Sequence, residues 1–217
     1  AFALQCPCRG KEPTLTFTVL YDANALYPMS LRDLLVRVGQ TTLVRARWTA
    51  EIMDEWSRAL AARRPDLETR IQRTVQLMNE AIRDVLVTGY QPLIPGLQLP
   101  DPGDRHVLAA AIRAGAQTIV TFNLCHFPQE ALEPYGIEAQ HPDEFVEHLI
   151  DLGGRKLIDI VAAMATEKKN PPMTVNDVIG SLAKAGLARS ASLLSLPVQE
   201  RPRNLFLLRA VAGFPHR

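Results

Sequence analysis

Asp22 closes the apolar run Thr18-Val19-Leu20-Tyr21, and Asn24 follows it in the same loop. Farther along, Leu99-Pro100-Asp101-Pro102-Gly103-Asp104-Arg105-His106 gathers two more carboxylates and an imidazole ahead of an apolar stretch. One carboxylate at the end of a buried strand and others at a helix start, brought together in an α/β sheet, are the simplest plan for a Mg²⁺ site. Hard divalent cations take oxygen ligands, and Mg²⁺ keeps several waters while accepting only a few carboxylates. The pattern predicts a metal-dependent enzyme acting on phosphate.

Such a site needs elements that hold its members in place. Phe17 to Tyr21 is short, apolar and rich in β-branched and aromatic residues, which predicts a buried strand. Ser30-Leu31-Arg32-Asp33 has capping-box spacing and predicts a helix through Leu34-Leu35-Val36. Leu43 to Ala46 is a candidate second strand. Thr49 can cap the next helix, whose stripe is Ile52, Met53, Trp56 and Leu60; Pro65 interrupts the pattern, and Ile71, Val75, Met78 and Ile82 resume it. Asp101 as N-cap, Pro102 at the first helical position and Asp104 two residues on predict a helix over Val107 to Ile112, closed by Gly115.

Gln117 to Thr121 then reads as a strand fed by that helix, the arrangement of a parallel sheet. Ligands gather at the carboxyl ends of such strands, where Asp22 and Asn123 both fall. Tyr135 to Ala139 predicts a last edge strand, and Pro142 to Leu149 a short helix. Gly153-Gly154 marks the expected boundary, giving a first unit over 17–150 and a helical appendage over 154–217. In the appendage Leu157 to Met164 is helical, Pro171-Pro172 breaks it, Thr174 to Asp177 caps another helix, and one or two short helices follow Ser190. The expected fold is α/β, a mostly parallel sheet of four or five strands flanked by helices.

Composition bounds the partners. The chain has 217 residues, 47% of them hydrophobic, enough for a packed core, and a net charge of +1, so no overall field draws it to nucleic acid. Its cations are nonetheless mostly arginine, clustered at Arg32, Arg37, Arg45 and Arg47 and again at Arg58, Arg63, Arg64, Arg70 and Arg73. Arginine suits bidentate phosphate contact, although solvated helix faces account for the clusters equally well. Cys6, Cys8 and Cys125 have no framework spacing, and no signal peptide or long apolar stretch is present, so a cytoplasmic protein without membrane attachment is expected. Residues 1–14 read as an irregular leader outside the core.

Four segments in this order resemble the PIN domain family and, more narrowly, VapC-like toxin ribonucleases of bacterial toxin–antitoxin pairs. They are Val19 to Asn24, Thr49 to Trp56, Asp101 to Ala109 and Ile119 to Asn123, with His141 to Phe145 extending the likeness. It covers roughly residues 17 to 149, and the helical tail is similar to the extension of one branch of these toxins. The resemblance implies a Mg²⁺- or Mn²⁺-dependent endoribonuclease with an RNA substrate and a cognate antitoxin partner; whether it forms a homodimer stays open. By likeness, Asp22, Glu55 and Asp104 are the catalytic acids and metal ligands, and Asn123 completes the catalytic set. Asn24, Glu51, Asp101, Thr121 and His126 are the positions expected around them. The family often has Asp where this chain has His126, just before Phe127. Fewer carboxylates attract a second cation less, and imidazole favours Mn²⁺ over Mg²⁺.

Each residue also has a plainer role to play. Asp22 could only start an Asx-turn with Asn24, Asp104 could only serve a helix cap, and Glu55 could be a solvated partner of Arg58. Asp101 fits a cap better than a ligand, His106 fits a helix surface or a supporting role, and His126 could simply pack beside Phe127. A zinc site from Cys6, Cys8, Cys125 and His126 lacks a known knuckle spacing. Two rival functions remain: a catalytically weakened PIN domain that binds RNA or protein, and an Asp-nucleophile phosphatase. The latter expects a second Asp where Asn24 stands and a later Lys, which is absent between Lys11 and Lys156.

Overall fold

The computed structural model describes residues 17–196. Cys6, Cys8, the expected leader and the segment after Leu196 lie outside those residues. Four parallel strands form one sheet in the order β2-β1-β3-β4: β1 (Phe17–Tyr21), β2 (Val44–Arg47), β3 (Thr118–Val120) and β4 (Glu138–Gln140). β1 is flanked on both sides, and its last four residues are buried, which is why it reads as a continuous apolar run rather than an alternating one.

The crossovers are helical: α1 (Met29–Gly39), α2 (Ala50–Arg63), α3 (Glu68–Ala81), α4 (Arg105–Ala114) and a single turn, α5 (Gln129–Leu132). Local signals explain most of their starts. Thr49 Oγ1 accepts the Ile52 N–H and caps α2, turning Ile52, Met53 and Trp56 into the core. Pro65 lacks an amide N–H, and α2 gives way there to a 3₁₀ turn before α3. The Asp101 carboxylate accepts the Gly103 N–H ahead of the turn leading into α4.

The capping box expected at Ser30 does not form. α1 starts earlier, behind Pro28, and the Ser30 hydroxyl donates instead to the carbonyl of Ser181 in the C-terminal helices. Docking thus displaced a local cap.

Three further helices follow: α6 (Pro142–Glu167), α7 (Val175–Lys184) and α8 (Ala188–Ser195). The helices expected over 142–149 and 157–164 meet in α6 at Gly153, whose backbone is non-helical (φ −151°, ψ 42°) and kinks the element there. A Cβ at Gly153 would stand 2.6 Å from Leu43 Cδ2, so glycine permits the close approach of α6 to the sheet. α7 has the capping box expected of Thr174 and Asp177. α8 has no cap of its own. Asp143 supplies one from α6, its carboxylate accepting the N–H groups of Arg189 (3.0 Å) and Ser190 (2.8 Å), while the Ser190 hydroxyl returns a bond to the Asp143 carbonyl (2.8 Å). Leu157, Val161, Met164, Leu182 and Leu194 belong to the same hydrophobic core as the sheet residues. Among the described residues no helix is long and apolar enough to cross a membrane.

Candidate metal centre

β1 delivers Asp22 to the carboxyl end of the sheet, where it is only 4% exposed. One of its oxygens accepts the Ala23 N–H at 2.6 Å, and the other accepts from Asn24 Nδ2 at 2.6 Å and the Thr121 hydroxyl at 2.7 Å. Thr121 lies just past β3, and its hydroxyl also accepts the Asn123 N–H. Asn24 Oδ1 takes the Phe122 N–H at 2.9 Å. Asn24 and Thr121 therefore stitch the ends of β1 and β3 together around Asp22. Asp22 meets Asn24 through the Asn24 side-chain amide and not through its backbone N–H, so the contact is not the Asx-turn the sequence allowed.

Burial pushes the Asp22 carboxyl up to about 6, and the nearby charges of Asp104 and Glu55 add to the rise against the pull of its hydrogen bonds. A buried carboxylate crowded by like charge is short of a cation.

α2 and α4 bring the other acids. Glu55 does not pair with Arg58, whose guanidinium donates to the Asp54 carbonyl; its Oε1 lies 3.1 Å from His106 Nε2. Glu51, one turn earlier, accepts the Tyr90 hydroxyl at 2.8 Å and lies 3.6 Å from His106 Nδ1. His106 is buried between the two, so it supports the acids rather than facing solvent. Burial opposes a charge on its ring, yet Glu55, Glu51 and Asp22 outweigh that opposition and hold the imidazole above its ordinary pKa. Tyr90 carried no signal in the sequence, because its partner lies on a different element.

The tightest group is not the expected one. Asp101, Asp104 and His126 each offer one ligand atom, and these atoms all lie within 4.8 Å of one another. His126 does not merely pack in its loop: its Nδ1 is 2.6 Å from Asp104 Oδ2 and 3.9 Å from Asp101 Oδ2. Asp104 makes no side-chain cap on α4, and Asp101 caps the 3₁₀ turn ahead of it. Asp101 is at once a cap and a member of the trio. Asn123 is exposed and reaches the site through its backbone, donating to Thr121 Oγ1.

A donor set of carboxylate oxygens with one imidazole fits Mg²⁺ or Mn²⁺. The arginines divide. Arg37 is held by Asp33 and Glu167, Arg64 by Asp66, Arg32 lies over the Trp56 ring, and Arg63 lines the same groove as Glu55.

Two family models match the chain. The PIN domain family matches residues 18–124, and the VapC50 C-terminal domain matches residues 142–195. A Mycobacterium tuberculosis protein named "Putative ribonuclease VapC50" is 41% identical over 96 residues, which are 44% of this chain and 56% of that protein. The chain thus spans little more than half the length of this relative. No solved structure matches. The two matches stand in tandem along the sheet and helices described above, and the chain belongs to the PIN domain family in the form that carries a VapC50 C-terminal domain.

Proposed function

We propose that the protein is a metal-dependent endoribonuclease and the toxin of a toxin–antitoxin pair, acting on RNA in the cytoplasm. The reading is supported by the acids at the carboxyl end of the sheet: Asp101, Asp104 and His126 offer ligand atoms within 4.8 Å of one another, and Asp104 and Glu55 lie near enough to add to the raised Asp22 pKa. A purely structural role explains no such crowding. Asp22, Glu55 and Asp104 would hold Mg²⁺ or Mn²⁺, with Asp101 and His126 beside Asp104. When bound, the ion lowers the pKa of a water and stabilises charge on the phosphoryl oxygens.

The remaining work falls to the chain. Asn24 and Thr121 fix the Asp22 rotamer by donating to one of its oxygens. His106 lies between Glu55 and Glu51 and would balance their charge, and Tyr90 donates to Glu51. Asn123, neutral and exposed, would orient a water or a phosphate oxygen. We read 17–150 as the nuclease unit and 154–217 as the extension, with α6 running across both. The weakened-domain alternative loses ground because these acids are positioned by partners that a passive module does not need.

The test is cleavage of total RNA with Mg²⁺, Mn²⁺ or EDTA, beside Asp22→Asn. Metal-dependent cutting lost in the variant is expected; equal cutting by both proteins refutes the site. Expression in a host where the chain folds should arrest growth, and co-expression of the neighbouring small gene should relieve it. Undisturbed growth without any partner would refute the toxin role.

A further inference from the structure

A groove of about 490 Å³ opens beside the acids, lined by Asn24, Tyr27, Glu55, Trp56, Arg63 and Phe122. Asn24 and Glu55 belong to both the groove and the acid site, so the two are continuous. A polynucleotide lying across the acids must place a neighbouring nucleotide there.

The groove's chemistry suits a base. Tyr27 and Phe122 present aromatic side chains from two different loops, each half-buried. The Arg63 guanidinium lies 5.4 Å from the centre of the Tyr27 ring, which places a cation beside the groove's aromatic wall. Trp56 contributes a buried indole N–H that finds no acceptor among the described residues. Aromatic faces stack on bases of any sequence, and buried donors or arginine forks then choose among base edges.

The walls are fixed before any ligand arrives. Arg32 donates to the carbonyls of Leu26 (2.9 Å) and Tyr27 (3.2 Å) while its guanidinium sits 4.5 Å over the Trp56 ring, pinning the Tyr27 loop. Phe122 stands edge-on to His141, with ring centres 5.0 Å apart. Behind Phe122 lies Gly186, in the turn between α7 and α8. Its φ is +99°, and a Cβ there would come within 3.0 Å of Phe122 Cε1. The C-terminal helices thus press on a wall of the groove.

We propose that this groove is a nucleobase pocket of the RNA site, stacking one base next to the scissile phosphate on Tyr27 and Phe122, with Arg63 holding the adjoining phosphate and the C-terminal helices setting the position of Phe122. The proposal rests on the nuclease reading of the adjoining acids. It gives the extension a task in substrate choice.

The test uses the whole chain in EDTA, titrated with AMP, CMP, GMP and UMP and followed by tryptophan fluorescence, since Trp56 is one of two tryptophans and lines the groove. Saturable binding with a preference among the four bases is expected. Tyr27→Ala and Phe122→Ala should each weaken it about tenfold, the loss of one base stack. Tyr27→Phe should restore it, and the exposed Arg63→Gln should weaken all four nucleotides alike. Gly186→Ala should alter base preference through Phe122 without touching the nucleotide. Asp104→Asn should keep binding while losing cleavage.

No saturable binding, or variants that bind like wild type in proteins of unchanged circular dichroism, overturns the pocket. If the variants affect binding of a protein partner and leave nucleotides untouched, the RNA assignment falls. RNA cleavage that is intact in Tyr27→Ala and Phe122→Ala sinks this inference while leaving the nuclease standing. Nucleotide binding by a protein that cuts no RNA sinks the nuclease reading alone.

Discussion

Asp22 and Asp143 are both aspartates, 4% and 5% exposed, and both accept hydrogen bonds from the backbone, yet their pKa values move in opposite directions. Burial favours the neutral acid at each. At Asp143 the bonds from Ser190 and Arg189, with the Arg189 guanidinium nearby, outweigh burial and hold the carboxyl below its usual range. At Asp22 burial wins, and Asp104 and Glu55 add to it. Asp143 is a finished interaction that ties α8 to α6. Asp22 is an unfinished one, and a bound cation would complete it. The two shifts set apart a carboxylate whose partners are all supplied by the fold from one that, under the proposed function, is left for a cation.

The sharpest way to break this contrast is to remove each charge. Asp22→Asn should lower metal-dependent RNA cleavage at least about 100-fold, roughly 3 kcal/mol of barrier, with metal-free stability equal to or above wild type. Cleavage assay and thermal denaturation of the same sample decide it. Asp143→Ala should do the reverse. Losing the charged acceptor for the buried Ser190 N–H and the part-buried Arg189 N–H costs about 2 kcal/mol, a fall in Tm of roughly 4–8 °C for a chain of this size; metal binding by calorimetry should survive.

Acid sharpens the same distinction. The Asp22 pKa is raised, so its ionised form destabilises the metal-free fold above about pH 6, and the cost is relieved as pH falls toward the ordinary value of 3.8. The full shift corresponds to at most about 3 kcal/mol. The Asp143 pKa is lowered, so its contribution is complete above the ordinary carboxylate range and is lost as pH falls through its depressed value. In EDTA, the stability difference between Asp22→Asn and wild type should shrink from pH 7 to pH 4, while that for Asp143→Asn should stay flat there and close only in stronger acid. Denaturation curves across that range that move in parallel would contradict both assignments.

The smallest effect is expected at His126. Its Nδ1 meets Asp104 at 2.6 Å, so imidazole and carboxylate partly satisfy one another before any ion binds. His126→Asp should tighten Mg²⁺ binding in titration calorimetry and lower the ratio of Mn²⁺- to Mg²⁺-supported cleavage. An unchanged affinity and ratio would remove His126 from the site.

Signals confined to a few neighbouring residues were legible in the sequence. β1 announces itself by an apolar run, Thr49 and Asp101 by cap chemistry, and Thr174 by a box whose two halves lie within one turn. Ser30 carried an equally good local signal and lost it to Ser181, a partner far along the chain. Gly153-Gly154 reads as punctuation, and α6 leaves helical geometry at Gly153; that the glycine also lets Leu43 come close depends on a contact the sequence does not show. The acids were legible through family likeness and strand-end placement. Their supports were not: Tyr90 on Glu51, His106 between two glutamates and Asp143 beneath α8 all depend on contacts between distant segments.

The two-sided pairing of β1 sets how much error the chain can tolerate. Val19 faces Ala46 on one side and Thr118 on the other. Side chains in a strand alternate with a period of two, so a slip of one residue turns every one of them to the opposite face. Here it would also put Tyr21 or Ala23 where Asp22 stands, and both neighbouring strands would have to slip in concert to accommodate it. A single-codon insertion between Phe17 and Tyr21 should therefore be far more damaging than one in the exposed 64–68 connection, even if every acid in the protein is left intact.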